Sequence, residues 1–255
     1  MNSPVSSPSS LKLANKVALV TGASRGLGAA IAKRLAADGA TVAITYSASP
    51  AKAAEVVQAI QAAGGKALAI QADAADAQAV RAAVRQVVAT FGGIDILVNN
   101  AGIAPMAPIE QFTDADYERA IAVNVTGVYV ASQEASKHMR DGGRIIQIGS
   151  VNSQSMPFAG GSVYALTKGA VASFTKGLAR DLGPRKITVN NIQPGPVDTD
   201  MNPANGAFAD TLRGLMALKR YGHVDEIAGF VSYLASPEAG YITGASLLAD
   251  GGFAA

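Results

Sequence analysis

Short apolar runs alternate with segments of helical periodicity along most of this chain. The first run, at 16–21, precedes a segment at 26–38 whose apolar residues recur every three or four positions until a glycine ends it. Because the runs are apolar throughout, they indicate parallel strands covered by helices on both faces, and so a single α/β domain. Strands are expected at 16–21, 41–46, 66–71, 94–99, 143–149, 186–192 and 245–250, and helices at 26–38, 50–63, 76–91, 114–139, 162–182 and 224–235.

Composition excludes several classes of protein. With 49% hydrophobic and 16% charged residues among 255, the chain is too apolar for disorder and long enough to bury one core. The net charge of +2 is not concentrated in a basic patch, so we expect no nucleic-acid partner. The chain has no cysteine, and its two histidines, His138 and His223, are far apart in the sequence. We therefore expect no metal and assign any catalysis to oxygen and nitrogen groups.

The first residues differ in composition from the rest. Serine and proline dominate the first ten positions, which predicts a disordered tail at 1–11 before a domain at 12–255. This beginning has neither a basic start nor an apolar run, and no stretch reaches the roughly 18 apolar residues of a membrane span. We therefore expect a cytoplasmic protein with no membrane partner.

The first predicted strand leads directly into a glycine-rich turn, TGASRGLG at 21–28. Its three glycines permit a tight turn and let a phosphate approach the backbone where the next helix begins. Free N–H groups and the helix dipole favour an anion at that point. A plain strand–helix turn can also contain such glycines, so the interpretation as a nucleotide site depends on the position of the loop between the first strand and the first helix.

Further motifs follow the later predicted strands in order. NNAG at 99–102 follows the fourth strand, Ser150 ends the fifth, Tyr164 and Lys168 lie in the next helix, and PGPVDT at 194–199 follows the sixth. Together with the TGASRGLG loop, this order resembles the short-chain dehydrogenase/reductase family over essentially all of residues 12–255. The resemblance implies a Rossmann-type, doubly wound parallel sheet of about seven strands, with helices on both faces.

A tyrosine and a lysine four residues apart offer a proton-transfer pair. On a helix, Tyr164 and Lys168 share one face, and a nearby ammonium lowers the pKa of a phenol, which is ordinarily about 10. By the family resemblance, Tyr164 is the general acid/base, and Lys168 holds the nicotinamide ribose and lowers the pKa of Tyr164. The resemblance also implies that Ser150 hydrogen-bonds the substrate oxygen and that Asn124 positions a water leading to Lys168.

The assignment of the serine has alternatives. Ser150 precedes Tyr164 by fourteen residues, one or two more than in much of the family, and Ser153 and Ser155 compete for the role. We favour Ser150 because it ends the predicted strand IIQIGS, where the family's serine belongs. The additional length is then expected in the loop at 152–161.

The expected cofactor is NADP(H). An NAD-preferring member of the family usually carries an acidic residue near the end of the second strand, where this chain has Tyr46 and Ser47. Arg25 in the glycine loop offers a forked guanidinium for a 2′-phosphate. By family analogy, Asp73 meets the adenine and the PGPVDT turn contacts the nicotinamide. The predicted cofactor-binding residues are Gly22, Ser24, Arg25, Gly26, Leu27, Gly28, Tyr46, Ser47, Asp73, Ala74, Asn100, Ala101, Gly102, Tyr164, Lys168, Pro194, Gly195, Val197 and Thr199.

A segment at 196–216, rich in proline, glycine and asparagine, follows the nicotinamide turn. Its apolar residues are costly to expose permanently, and its prolines and glycines disfavour one continuous helix, which together predict a mobile lid over an apolar pocket. A helix pair packed on its own protein is the alternative. The predicted pocket residues are Val151, Met156, Phe158, Met201 and Phe208.

These residues and the resemblance predict an NADP(H)-dependent carbonyl reductase or alcohol dehydrogenase. A reductase of acyl-carrier-protein thioesters uses the same catalytic residues and is the alternative within the family. A third hypothesis is a cyclic-dinucleotide-binding regulatory protein on the same fold, because MPFAGG, QPGPVDTD and NPANGAF resemble family members proposed for biofilm dispersal. The family resemblance and the apolar segment at 245–255, which is costly to leave in water, predict a homotetramer.

Overall fold

The computed structural model describes residues 11–255, so the predicted tail lies outside the described residues except for Leu11. Within them, none of the helices is both long and apolar enough to cross a membrane. The strands are β1 (Val17–Val20), β2 (Thr41–Tyr46), β3 (Ala67–Gln71), β4 (Ile94–Asn99), β5 (Met139–Ile148), β6 (Thr188–Pro194) and β7 (Ser246–Ala249). The helices are α1 (Gly26–Ala37), α2 (Pro50–Ala62), α3 (Ala77–Phe91), α4 (Asp114–Ile121), α5 (Gly127–His138), α6 (Ser162–Leu182), α7 (Ala209–Leu215) and α8 (Val224–Ala235).

Among the described residues, these seven strands form one sheet in the order β3-β2-β1-β4-β5-β6-β7, and every neighbouring pair is parallel. The predicted Rossmann-type fold is therefore confirmed. The chain builds outward from β1 to β3 and then returns to place β4 on the other side of β1. In sheets of this kind, ligands bind beyond the carboxyl ends of the strands next to such a reversal.

The strands are buried on both faces because successive side chains point into two different apolar clusters. On β1, Ala18 and Val20 join a cluster built with α1 and α8, whereas Val17 and Leu19 join a cluster built with α3, α5 and α6. This placement explains why the strand segments read as continuous apolar runs. It also fixes the carboxyl end of β1 between two layers of helices.

The structure differs from the prediction at several element boundaries. The helix expected at 114–139 is divided by a π turn, Ala122–Thr126, between α4 and α5. The sixth strand begins at Thr188 rather than at 186, because Lys186 adopts a left-handed backbone with φ 58° and cannot extend a strand. The fifth strand begins earlier than expected, at Met139, with an irregular register before Ile96 of β4 is reached.

The segment at 196–216 combines packed and exposed residues. Its one helix, α7, is short, and Ala209 and Met216 are buried in a small cluster with Tyr221 and Phe253. Met201 and Phe208 are instead exposed, at 65% and 76%. The segment is therefore anchored at some positions and open to solvent at others.

Candidate active site

The loops that follow β1 and β4 are tied together at the point where the winding reverses. The Asn100 side-chain Nδ2 donates to the carbonyls of Thr21 and Gly22, both at 2.9 Å. The Thr21 hydroxyl accepts from the backbone N–H groups of Asn100 and Ala101 at 3.0 and 3.1 Å. A Cβ added to Gly22, which has φ 63°, would lie 2.7 Å from Ala101 Cα. Only glycine fits this contact, so the two loops form one wall of a cleft.

The start of α1 has the features of a phosphate site. Arg25 precedes the helix with an extended backbone and, within the described residues, makes no side-chain capping bond to the first turn. The first N–H groups of the helix are therefore available to an anion, as at other dinucleotide-binding helices. A Cβ built on Gly26 would meet Thr199 at 3.7 Å, so the turn after β6 faces the glycine loop across the cleft. This donor set and the absence of side chains at Gly22 and Gly26 fit a pyrophosphate.

Tyr164 and Lys168 meet on one face of α6, as their spacing predicts. The Lys168 Nζ lies 5.7 Å from the centroid of the Tyr164 ring. Lys168 is 6% exposed, and its Nζ donates to the Ile148 carbonyl at 2.8 Å. A Cβ built on Gly102 would lie 3.6 Å from this Nζ and 3.4 Å from Asn124 Oδ1. The loop after β4, α6 and the π turn therefore converge at Gly102.

The pKa values of this pair differ from the expectation drawn from the family. Burial raises the pKa of the Tyr164 phenol, and the neighbouring Ser150 hydroxyl acts in the opposite direction. Burial also lowers the pKa of Lys168 to about 8. The expected lowering of the Tyr164 pKa by Lys168 is therefore not seen. The phenol is buried, and the lysine ammonium is engaged by the Ile148 carbonyl, so desolvation dominates.

The Asn124 side chain is held by hydrogen bonds within the protein. Its Oδ1 accepts from the Ile103 N–H at 2.9 Å, and its Nδ2 donates to the Ile103 carbonyl at 2.8 Å and to Thr167 Oγ1 at 3.1 Å. Both side-chain N–H groups are thus occupied, and the amide locks the π turn to the loop after β4. The role of Asn124 in positioning a water leading to Lys168 stays a prediction.

The structure separates the competing serines. Ser150 directly follows the loop glycine after β5, and its Oγ accepts from the Asn152 N–H at 3.1 Å. Ser153 Oγ instead donates to the Ser150 carbonyl at 2.9 Å and accepts from Gln193 Nε2 at 2.6 Å. Ser155 contributes its backbone carbonyl to Asn152 Nδ2 at 3.0 Å. Ser150 is therefore the serine beside Tyr164, and the additional residues lie in the loop before α6.

Of the residues expected near the adenosine, Asp73 is already paired with an arginine, whereas Tyr46 and Ser47 are uncharged. Both Asp73 carboxylate oxygens accept from Arg119 at 3.1 Å, and this hydrogen bonding holds the pKa of Asp73 below its usual value. The carboxylate expected to meet the adenine is thus already paired with a guanidinium. Tyr46 is half-buried at the end of β2, and Ser47 beyond it is exposed. Neither position presents a negative charge to a 2′-phosphate.

The predicted pocket residues do not form one continuous wall. Val151 is only 2% exposed and belongs to a buried cluster with Met216, Tyr221 and Phe253, so its assignment to the pocket wall is corrected to a place in this small core. Met156 is half-buried, and Phe158 is 38% exposed. Met201 and Phe208 offer the largest exposed apolar side chains of the lid segment.

The sequence analysis missed several residues that complete the site. The partners of Asn124, the cluster around Phe253, and Gln193 each depend on contacts between segments far apart in the chain. One signal was present, because Gln193 is a polar residue within the buried strand β6. A buried polar side chain requires a hydrogen-bond partner and therefore points to a specific contact.

Comparisons with known proteins agree with this geometry. A family model described as Enoyl-(Acyl carrier protein) reductase matches residues 22–254. The cyclic-di-GMP-binding biofilm dispersal mediator protein of Escherichia coli (strain K12) is 47% identical over 240 residues, which cover 94% of this chain and 98% of that protein. A short-chain dehydrogenase/reductase structure from Serratia marcescens BCRC 10948 is 61% identical with a TM-score of 0.95, over 96% of this chain and 100% of that one. A short chain dehydrogenase structure from Burkholderia cenocepacia J2315, in complex with NADP, is 54% identical with a TM-score of 0.95 over the same shares.

Proposed function

This chain belongs to the short-chain dehydrogenase/reductase family, and from that membership we propose that it transfers a hydride between NADP(H) and a carbonyl or secondary alcohol. The observation that carries the proposal is the convergence of Ser150, Tyr164 and Lys168 beside a glycine loop suited to a pyrophosphate. The proposed catalytic residues are these three, with Asn124 as the residue that fixes the π turn against the loop after β4.

The cofactor is NADP(H), as in the Burkholderia cenocepacia structure. In this chain, the glycine loop and the first turn of α1 would hold the pyrophosphate, and Lys168 would hold the nicotinamide ribose. Arg25 would bind the 2′-phosphate, because the end of β2 offers the neutral Tyr46 and Ser47 and no repelling carboxylate. When bound, NADP(H) supplies or accepts the hydride.

The proton is handled by Tyr164. Because burial raises its pKa, the phenol is protonated at neutral pH and donates a proton to the substrate carbonyl oxygen. The Ser150 hydroxyl, adjacent to this phenol, hydrogen-bonds the same oxygen. Lys168, whose pKa is about 8, still carries its charge at neutral pH and stabilises the phenolate left behind. Reduction is therefore the direction that neutral pH favours.

A screen of NADPH oxidation with ketones, aldehydes and 3-oxoacyl thioesters tests the proposal. With the best substrate, Tyr164→Phe should lower kcat by at least about 100-fold, because it deletes the exchangeable proton, and should leave the Kd for NADPH within about twofold. Tyr129→Phe is the matched control, since Tyr129 is a half-exposed tyrosine on α5 outside the site. Undiminished kcat in Tyr164→Phe would rule out this acid/base.

Two further activities have specific support. The name of the matched family model, Enoyl-(Acyl carrier protein) reductase, supports acyl-carrier-protein thioesters as a substrate class, and the thioester arm of the screen tests 3-oxoacyl thioesters within that class. The Escherichia coli relative supports cyclic-dinucleotide binding. Calorimetry with cyclic-di-GMP, alone and after saturation with NADPH, tests that activity. Binding that NADPH abolishes would place the two ligands in one cleft, whereas the absence of any binding heat would refute this second candidate.

We also propose that the segment at 196–216 closes over the bound substrate. Its exposed Met201 and Phe208 support an apolar cover, and its first residues face the glycine loop through Thr199. The next residue, Asp200, forms an ion pair with Lys52 of α2 at 3.4 Å. The segment thus contacts both the glycine loop and α2.

The protomers are proposed to assemble as a homotetramer. The original support, the apolar segment at 245–255, is weaker than expected because Phe253 is buried within its own protomer. Exposed apolar residues nevertheless remain at two separate places. Tyr129 and Leu166 lie on α5 and α6, whereas Leu248 lies on the edge strand β7 and Tyr241 shortly before it. Two separate self-complementary patches are what a tetramer with two kinds of two-fold interface needs.

A further inference from the structure

A buried amide on β6 connects the sheet to the turn that follows Ser150. Gln193 is 1% exposed and lies next to Pro194 at the carboxyl end of the strand. Its Nε2 donates to Ser153 Oγ at 2.6 Å, and its Oε1 accepts from Gln154 Nε2. One side chain therefore holds two successive residues of the turn. The proton-transfer scheme above makes no use of it.

The direction of these bonds is fixed by proton counting. The Ser153 hydroxyl has a single proton, and it donates that proton to the Ser150 carbonyl at 2.9 Å. Ser153 must then accept from Gln193, which determines which way the Gln193 amide is turned. The hydrogen bonds run from Gln193 to Ser153 and from Ser153 to Ser150. A carboxylate in place of the Gln193 amide has no proton to donate and would compete for the proton of Ser153.

The same strand also holds the backbone on the other side of the serine. The Gly149 N–H donates to the Ile192 carbonyl of β6 at 2.7 Å. Ser150 is thus fixed to β6 by backbone on one side and by the Gln193 side chain on the other. Within the described residues, its own Oγ is hydrogen-bonded to Asn152 in the turn and neighbours the Tyr164 phenol. The place of the Ser150 hydroxyl therefore depends on the geometry that Gln193 imposes on the turn.

We propose that Gln193 is a positioning residue that sets the place of the Ser150 hydroxyl beside Tyr164 by acting through Ser153. This inference rests on the proposed function, in which Ser150 and Tyr164 share the substrate oxygen. Loss of the Gln193 amide lets the turn move without emptying the cofactor cleft. The effect is therefore expected on kcat and much less on NADPH binding, because small displacements of a reacting group reduce rate steeply.

Three variants test the inference, with a matched control on the same strand. Gln193→Glu keeps the shape of the side chain and removes its N–H donor, and Gln193→Ala removes its hydrogen bonds to Ser153 and Gln154. Ser153→Ala removes the hydroxyl that connects Gln193 to the Ser150 carbonyl. Each should lower kcat by about 10- to 100-fold and leave the Kd for NADPH, measured by nicotinamide fluorescence, within about twofold. Asn190 is equally buried on β6 but donates to the Ile242 carbonyl, away from the site, so Asn190→Ala should lose stability and retain kcat.

A readout without turnover separates this inference from the proposed function. The Tyr164 phenol can be titrated by ultraviolet tyrosinate absorbance, as the difference between each variant and the same variant carrying Tyr164→Phe. Because Ser150 lowers the pKa of Tyr164, that pKa should rise in Gln193→Glu and Ser153→Ala. If the wild-type protein reduced no carbonyl, the proposed function would fail, and this titration would still decide whether Gln193 positions Ser150.

The outcomes that overturn the inference are specific. Unchanged kcat and unchanged Tyr164 titration in folded Gln193→Glu and Ser153→Ala proteins would show that the turn holds Ser150 without help. An equal fall of kcat in Asn190→Ala would mean that the losses reflect stability alone. If the Gln193 variants do not fold, Ser153→Ala carries the same test, since it removes one exchangeable hydroxyl and only one atom of packing.

Discussion

Arg25 is the residue of the glycine loop on which cofactor choice depends. It stands directly before α1, its side chain is exposed, and its backbone is extended. The nearest alternative determinants, Tyr46 and Ser47, carry no charge that would repel or attract a phosphate strongly. A guanidinium at this place can form two parallel hydrogen bonds to phosphate oxygens, which a ribose hydroxyl cannot match.

Replacement of Arg25 should therefore separate the two dinucleotides. We expect Arg25→Ala to raise the Kd for NADPH by about tenfold or more and to change the Kd for NADH by less than about twofold, since charge-assisted bonds to the 2′-phosphate are lost. Nicotinamide fluorescence titration measures both constants. Arg34→Ala serves as the control, because Arg34 lies in the last turn of the same helix and pairs with Asp38. Equal losses for both dinucleotides would contradict a role in reading the 2′-phosphate.

At single residues, the sequence allowed the chemical role of a side chain to be predicted, but not the residues that it contacts. The spacing of Tyr164 and Lys168 is a property of one helix, so it could be read without knowledge of the fold. The side-chain partners of Asn124 could not be predicted, because Ile103 and Thr167 come from other segments. The burial of Val151 could not be predicted either, since Phe253 is far away in the chain. The pKa direction at Tyr164 was also missed, since desolvation depends on everything packed around the ring.

Among the structural elements, the segment at 196–216 is anchored at some positions, since Val197 pairs with Gly222 and since Ala209 and Met216 are buried. Tyr221 donates to Asn202 at 3.2 Å, Ala204 N–H donates to Asp198 at 2.9 Å, and the Lys52–Asp200 ion pair is largely exposed. Exposed ion pairs contribute little to stability. We therefore expect a ligand to order the exposed part around Met201 and Phe208, because those side chains gain contacts there.

Ligand binding should order this segment. Hydrogen exchange across 196–216 is expected to slow when NADPH and a substrate analogue are both bound, because the exposed apolar side chains gain a partner. Phe208→Ala should change the ratio of kcat/KM between bulky and small ketones, whereas Leu218→Ala, an equally apolar exposed change just beyond the segment, should not. Unaltered exchange together with an unaltered substrate ranking would mean that the segment is static packing.

Element boundaries show what periodicity can and cannot predict. α6 runs over Ser162–Leu182, as the pattern predicts, because its apolar face and its terminal glycine are local features. The π turn at Ala122–Thr126 has no such signature, since it changes the hydrogen-bond pattern and not the residue types. Likewise, only the left-handed backbone of Lys186 delays the start of β6. Local patterns therefore set the fold, and tertiary contacts refine the edges where the site is built.

The whole molecule presents exposed apolar residues at two separate places, on α5 and α6 and at the β7 edge of the sheet. On one side, Tyr129 packs edge to face on Phe174 and remains 45% exposed. On the other, Tyr241 is fully exposed beside the half-exposed Leu248. Large aromatic residues at such positions are typical of protein–protein interfaces.

Each side should support a different interface of a homotetramer. Light scattering at micromolar concentration is expected to give a tetramer for the wild-type protein. Tyr129→Glu and Tyr241→Glu should each reduce it to a dimer, because a buried unpaired carboxylate is costly in either interface. Thr211→Glu, which adds the same charge on α7 away from both patches, should leave the tetramer intact. A wild-type monomer, or a tetramer in both tyrosine variants, would contradict this assembly.

Phe253 follows all seven strands of the sheet in chain order, yet its ring is buried against Val151, one residue beyond Ser150. During synthesis on the ribosome, the glycine loop and its strands emerge early, whereas the packing below the serine turn waits for residue 253. The glycine-loop side also depends on a late element, because α1 packs against α8 in the cluster that holds Ala18 and Val20 of β1. The turn that carries the catalytic serine can thus reach its final packing only after residue 253 has been synthesised.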